Sequence, residues 1–284
     1  MSKKRDTIGI IGFGYVGRAI QHGFAQTCDF RIYDINPTIS ENTLEEVCKD
    51  SEYIFVCVPT PMKSTGECDI SIVEYTVKKC HKYLKNTDKI LIIKSTVVPF
   101  TTYMLKNKYP HMRIVFNPEF LTARTYKLDF INSARIILGG NIADTRKVEI
   151  LYRKRFPDKS VPIYHTDSTT AETVKELANC FLATKVLLCN EFYDICDKIG
   201  VDYNEVMEMI LADGRIGRSH TDVPGHDSKR GISGVCFPKD MNAMIHMAKA
   251  LGVEPMIMEA AWKKNLQVRP KKDWEKLSGV VSHQ

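Results

Sequence analysis

Two groups of residues in this chain have types and spacings suited to covalent chemistry. The first is a thiol. Cys236 lies in Gly231-Ile-Ser-Gly234-Val-Cys236-Phe-Pro-Lys-Asp240, where Pro238 suits the first position of a helix. Met241, Ala243, Met244, Met247 and Ala248 follow at helical spacing, so the thiol is expected just before a helix N-terminus. Unsatisfied amide N–H groups and the positive end of the helix dipole favour a thiolate there, and Lys239 adds a cation. That environment suits a nucleophile, and a small buried core residue is the other reading of a lone cysteine.

The second group is Lys175 and Asn179, four positions apart and hence on one helix face. Ser168 or Thr169 is the expected cap of a helix running to about Ile199, with Gly200 as its stop. Val174, Leu177, Ala178, Phe181, Leu182, Leu188, Phe192 and Ile195 form its expected buried stripe. An ammonium at the edge of such a stripe can stabilise an oxyanion. The alternative is a lysine that snorkels to water.

The elements that must position these groups begin with a dinucleotide cradle. Short apolar runs alternate with helical patterns at Ile8–Ile11, Phe30–Tyr33, Tyr53–Val58, Ile90–Ile93, Ile114–Phe116 and Ile136–Leu138, which predicts a doubly wound parallel sheet. Between the first strand and its helix stands Gly12-Phe13-Gly14-Tyr15-Val16-Gly17. Its glycines allow a tight turn, a close approach of pyrophosphate, and tight helix–strand packing. Asp34 ends the second strand, where a carboxylate accepts hydrogen bonds from a ribose and repels a 2′-phosphate; a solvated loop carboxylate or helix cap is the alternative. The expected cofactor is NAD. Pro59 and Thr60 after the third strand, and Ser95 and Thr96 after the fourth, place hydroxyls where such sheets bind ligands, though plain strand-ending turns would look the same.

Composition narrows the function classes. A chain of 284 residues buries enough surface to fold without disulfides or metal. Nine cysteines at irregular spacing, with no CxxC pair, fit reduced thiols in a cytoplasmic protein and suggest no metal site. The net charge of +6 comes from scattered lysines, which disfavours nucleic acid as a partner. No apolar run has the length of a membrane span. The expected organisation is a Rossmann domain over residues 1–167, an all-helical domain over 168–267, and a basic tail with one aromatic anchor, Trp274, over 268–284.

Taken together the motifs resemble the UDP-glucose/GDP-mannose dehydrogenase family, whose members oxidise a sugar alcohol to a carboxylate with NAD. The resemblance rests on GFGYVG at Gly12–Gly17, VPTPM at Val58–Met62, STVVP at Ser95–Pro99 and NPEFL at Asn117–Leu121. It continues in KELANCFLATK at Lys175–Lys185, NE at Asn190 and Glu191, DGRIG at Asp213–Gly217 and GVCFPKD at Gly234–Asp240. It implies a four-electron oxidation through a thiohemiacetal and a thioester on Cys236. Lys175 would then stabilise oxyanions, Asn179 hold the reacting oxygen, Asp240 and Thr96 position a water, and Glu119 assist thioester hydrolysis. Glu119, Phe120, Leu121, Lys175, Asn179, Gly231 and Gly234 would contact substrate, and Arg215 would reach it across a homodimer interface, which would make the helical half, residues 168–267, the dimerisation domain.

Three departures stand beside the resemblance. Ala123 replaces a second glutamate, and Ser233 stands where a glycine is usual, after a longer loop at Pro224–Arg230. The family's third, nucleotide-binding domain is not expected in this chain, so a separate nucleotide-binding partner or a smaller substrate would have to compensate. Two other functions fit parts of the pattern: a two-electron hydroxy-acid dehydrogenase, and a non-catalytic NAD-binding protein.

Overall fold

The computed structural model describes residues 5–157 and 161–282. It divides into two compact units, one of residues 1–60 and 70–175 and one of residues 61–69 and 176–284. The second unit therefore includes an excursion after Thr60 and the segment expected to be a tail.

The first unit is a seven-stranded sheet in the order β2-β1-β3-β4-β5-β6-β7. Its strands are β1 (Asp6–Ile11), β2 (Cys28–Tyr33), β3 (Tyr53–Val56), β4 (Ile90–Ile93), β5 (Arg113–Phe116), β6 (Ile136–Gly139) and β7 (Ile163–Thr166). The first five are parallel, as expected, but β6 pairs antiparallel to β5, and β7 joins parallel to β6. The sheet is thus mostly, not wholly, parallel. Strand β4 is Ile-Leu-Ile-Ile and is buried along its whole length, as a central strand covered on both faces requires. Side chains alternate between the faces: Ile8, Ile10, Phe55 and Ile92 pack into one core, and Ile11, Ile54, Val56 and Ile93 into the other.

Helices α1 (Tyr15–Phe24), α2 (Leu44–Asp50), α3 (Ser71–Leu84), α4 (Thr101–Lys108), α5 (Tyr126–Ile131) and α6 (Ile142–Arg155) connect the strands. Thr43 and Glu46 form a reciprocal capping box at α2, and Asn141 caps α6. Helix α4 has no cap of its own, and the preceding Phe100 is left-handed at φ 75°.

Helix α7 spans Ser168–Ile199, and its true cap is Asp167, whose carboxylate accepts from the Thr170 N–H at 2.9 Å. The second unit continues with α8 (Tyr203–Leu211), α9 (Phe237–Ala250), α10 (Met256–Val268) and a 3-10 turn at Asp273–Lys276. The stripe expected to be buried on α7 needs correction. Leu177, Phe181, Leu188, Phe192 and Ile195 are exposed in the single chain, Phe181 by 72%. The face toward the unit's own core carries Ala183 and Leu187, which pack with Ile232 and Met241. Among the described residues no disulfide forms, and no helix is long and apolar enough to cross a membrane.

Candidate functional site

The cradle at the end of β1 has the backbone its glycines were expected to supply. Gly12 has φ +92°, and a Cβ there would lie 2.6 Å from the Cys57 carbonyl oxygen. A Cβ on Gly17 would lie 2.4 Å from the Gly12 carbonyl oxygen, so α1 packs directly on the turn. Nothing lies within 4 Å of the same point on Gly14, which begins α1 as its cap, so the space a pyrophosphate needs is open. The Asp34 carboxylate accepts from the Phe13 N–H at 2.7 Å and the Asn36 N–H at 2.9 Å, fixing the acidic group beside the glycine turn. Arg18 stacks over Phe13, 4.5 Å from its centroid, while Tyr15 and Val16 open α1. These residues fit a dinucleotide.

The two strand-end hydroxyls are used internally. Thr60 Oγ1 donates to the Thr96 carbonyl at 2.7 Å, and Ser95 Oγ donates to the Val58 carbonyl at 2.7 Å. They tie the loops after β3 and β4 together, with Pro59 exposed and the Thr96 side chain half-buried. The two loops are thereby fastened to each other, and both hydroxyls are already engaged.

The Asn117–Leu121 turn after β5 carries Glu119 against a residue the sequence reasoning passed over, Lys94. Its ammonium is buried and lies 2.8 Å from Glu119 Oε2. It also donates to Asn117 Oδ1 at 3.1 Å and the Pro118 carbonyl at 3.3 Å. Burial works against the Lys94 charge, yet the Glu119 carboxylate outweighs it and lifts the ammonium to about 12. Glu119 Oε1 accepts from the Phe120 N–H at 2.8 Å. A cavity of about 290 Å³ adjoins Lys94, Glu119, Ser133, Arg135 and Tyr152. Lys175 is also buried, with its ammonium 5.3 Å from the centroid of Phe120, and Leu121 is buried beside them. The ammonium expected beside apolar neighbours is therefore held on the same turn as the candidate carboxylate. The available signal for Lys94 was a lysine closing an otherwise wholly apolar strand.

In the second unit Cys236 is the cap residue of α9, and its thiol makes no capping hydrogen bond. Pro238 sits at the second helical position, one later than expected. One turn on, Asp240 is fully buried, its N–H donating to the Cys236 carbonyl at 2.9 Å. Asn179 Nδ2 donates to Asp240 Oδ2 at 2.6 Å, and Lys239 pairs with the other carboxylate oxygen. Burial opposes the Lys239 charge, but Asp240 outweighs it and raises the ammonium. Cys236, Asp240 and Asn179 are thus brought together. Gly231 has φ +75°, and a Cβ there would meet Asn265 Oδ1 at 2.4 Å; Gly234, at φ +81°, faces open space. Arg215 stands apart, its side chain 88% exposed and paired with Asp213.

A glycine cradle at the end of the first strand of a doubly wound sheet, followed in the chain by a helical unit, defines an α/β protein with a Rossmann-type dinucleotide-binding fold. Residues 36–155 match the NAD binding domain of the UDP-glucose/GDP-mannose dehydrogenase family, and residues 169–267 its central domain. The chain belongs to this family, and NAD is the cofactor its first domain implies. It is 32% identical over 240 residues to the UDP-glucose 6-dehydrogenase of Rickettsia bellii (strain RML369-C), covering 83% of this chain and 54% of that protein. To the UDP-glucose 6-dehydrogenase TuaD of Bacillus subtilis (strain 168) it is 30% identical over 255 residues, covering 87% and 53%. The chain spans about half the length of these relatives. The solved UDP-glucose dehydrogenase of the hyperthermophilic archaeon Pyrobaculum islandicum aligns with a TM-score of 0.82 and 25% identity, over 94% of this chain and 69% of that one.

Proposed function

We propose that the chain is an NAD-dependent, thiol-dependent dehydrogenase that oxidises a sugar primary alcohol to a carboxylate, acting on a nucleotide sugar such as UDP-glucose. The observation that carries the reading is Cys236 at the start of α9 with Asp240, held by Asn179, one turn behind it. NAD, which the Gly12–Gly17 turn and Asp34 would hold, would supply the hydride acceptor for both oxidations.

Lys175 stabilises the alkoxide as the alcohol loses its first hydride. Asn179 offers its second amide hydrogen to the same oxygen, since the first is given to Asp240. The Cys236 thiolate then attacks the aldehyde carbon, forming the C–S bond of a thiohemiacetal that keeps the aldehyde bound. Loss of the second hydride leaves a thioester. Hydrolysis then draws on the roles that the family resemblance implies, Thr96 and Asp240 to position water and Glu119 to take its proton; water adds to the carbonyl, the C–S bond breaks, and the acid leaves with the thiolate restored. The balance is one alcohol, one water and two NAD giving one carboxylate, two NADH and three protons.

A second copy of the chain is the proposed partner. Leu177, Phe181, Leu188, Ile195 and Ile199 lie along one exposed face of α7, an apolar seam that a twofold helix pair would cover. The exposed Arg215 is the residue proposed to serve the neighbouring copy's substrate. A cytoplasmic location accords with nine cysteines and no disulfide among the described residues.

The test is stoichiometry. Incubated with UDP-glucose and related nucleotide sugars, the protein should form two NADH per acid, and Cys236→Ser should stop acid formation. One NADH per turnover, with Cys236→Ser fully active, would assign a two-electron dehydrogenase instead.

A further inference from the structure

Residues 269–282 are neither a loose tail nor part of the proposed chemistry. Arg269 is 5% exposed, and Trp274 and Val280 are fully buried, with Trp274 set edge-on against Trp262 at 5.5 Å. This segment meets the approach to Cys236 first through the carboxylate of Asp273. Asp273 accepts from Arg269 Nε at 2.7 Å and Nη2 at 2.8 Å, from Lys229 Nζ at 2.7 Å, and from Ser233 Oγ at 3.2 Å. Hydrogen bonds from Arg269 hold the Asp273 carboxyl well below the usual carboxylate range.

Arg269 extends the same hub, pairing with Asp227 at 2.5 Å and donating to the Arg230 carbonyl at 3.1 Å. Asn265 on α10 accepts the Ile232 N–H at 2.8 Å, and Asn190 on α7 accepts the Gly231 N–H at 3.2 Å. The loop is therefore gripped at Asp227, Lys229, Arg230, Gly231, Ile232 and Ser233, and Cys236 follows three residues later. Ser233, the departure from the glycine usual in the family, is the residue whose hydroxyl reaches Asp273.

The far end of the segment holds a second loop. The Met62 N–H donates to the Val280 carbonyl, and the Ser282 N–H donates to the Met62 carbonyl, both at 2.7 Å. Ser282 Oγ donates to Asp69 Oδ2 at 3.2 Å. Gly66 of that loop approaches Asn242 of α9, with 3.4 Å between the asparagine Cβ and the point a Gly66 Cβ would occupy.

We propose that residues 269–282 form a clamp that sets the Cys236 turn, with Asp273 as its positioning residue. The clamp touches no reacting atom: it holds the loop so that the thiol stays at the first turn of α9. The inference rests on the thiol chemistry proposed above, so its test reads the thiol directly as well as turnover.

In Asp273→Asn, amide exchange of the peptide covering residues 231–236 should quicken about tenfold, since a charge-assisted hub is lost. Carboxamidomethylation of Cys236, followed by mass spectrometry at pH 7, should slow several-fold. In NADH formation, kcat should fall about tenfold with KM for NAD within twofold, and Asp273→Glu should restore much of it. Should Asp273→Asn fail to fold, Ser233→Ala and Lys229→Met carry the same readouts with smaller changes. Wild-type exchange and alkylation in these variants would overturn the proposal, as would uniform loosening of every peptide in the second unit. Lack of sugar-nucleotide oxidation by the wild type would refute the proposed function and leave the exchange and alkylation readouts to decide the clamp.

Discussion

Glu172 offers the most quantitative check on the first unit. Helix α4 starts without a cap of its own, and Glu172 of α7 supplies one: its Oε1 accepts the Thr102 N–H at 2.8 Å. The side chain is fully buried, and among the described residues no hydrogen bond reaches its other oxygen. Burial raises the carboxyl from its ordinary 4.5 to about 7, against the pull of the Thr102 hydrogen bonds. The fold therefore prefers the protonated acid. Its contribution is complete below about pH 4.5, where both states are protonated, and declines as the unfolded chain ionises. It is gone once pH has risen through about 7. From 4.5 to about 7, at about 1.4 kcal/mol per tenfold, the loss is about 3–4 kcal/mol. Glu172→Gln stays neutral at every pH and keeps an acceptor for Thr102. Urea unfolding by circular dichroism should find the two proteins within about 1 kcal/mol of each other at pH 5. At pH 8 the variant should be the more stable by about 3–4 kcal/mol. Parallel stability curves from pH 5 to 8 would refute the reasoning.

Two further substitutions probe the other assignments. Lys94→Met leaves the largely covered Glu119 without its cation and should cost about 3–5 kcal/mol in urea unfolding, most of it recovered in a Lys94→Met, Glu119→Gln double variant; a loss below about 1 kcal/mol would show the pair is not a determinant. Phe181→Asp places a charge in the exposed seam of α7 and should convert the proposed dimer to monomer in sedimentation with the fold intact; an unchanged sedimentation coefficient would remove that face as the interface.

Much of the fold was legible because its signals are local. The glycine spacing specified a turn with positive φ at Gly12, and apolar runs bounded by turns marked six of the seven strands. The seventh, Ile163–Thr166, was not read because Ile-Tyr-His-Thr at the sheet edge carries little apolar alternation. The reversal of β6 was invisible for a different reason. Strand direction depends on the path of residues 117–135, and no local preference of Ile-Ile-Leu-Gly records it. The third strand was read two residues too long because Cys57 and Val58 are apolar, although they belong to the loop that Ser95 fastens.

The site divides along the same line. The places of Cys236 at the start of α9 and of Lys175 and Asn179 on α7 were legible because a helix start and a helix face convert spacing into geometry. Lys94, Glu172 and Asp273 were not, since their partners Glu119, Thr102 and Lys229 lie 25, 70 and 44 residues away. The misjudged stripe on α7 has a related origin. Periodicity tells that a helix has an apolar face, but not which surface covers it, and Leu177 and Phe181 read alike whether they face their own core or a second copy. Buried charges give the reverse indication. A lysine closing Ile-Leu-Ile-Ile, or a glutamate in the buried turn of a helix, must find a partner or change its protonation, because an ionised group alone in hydrocarbon is too costly to keep. Such residues mark the positions where distant segments have to meet, and here they lie beside the loops that carry Glu119, Thr96 and Cys236.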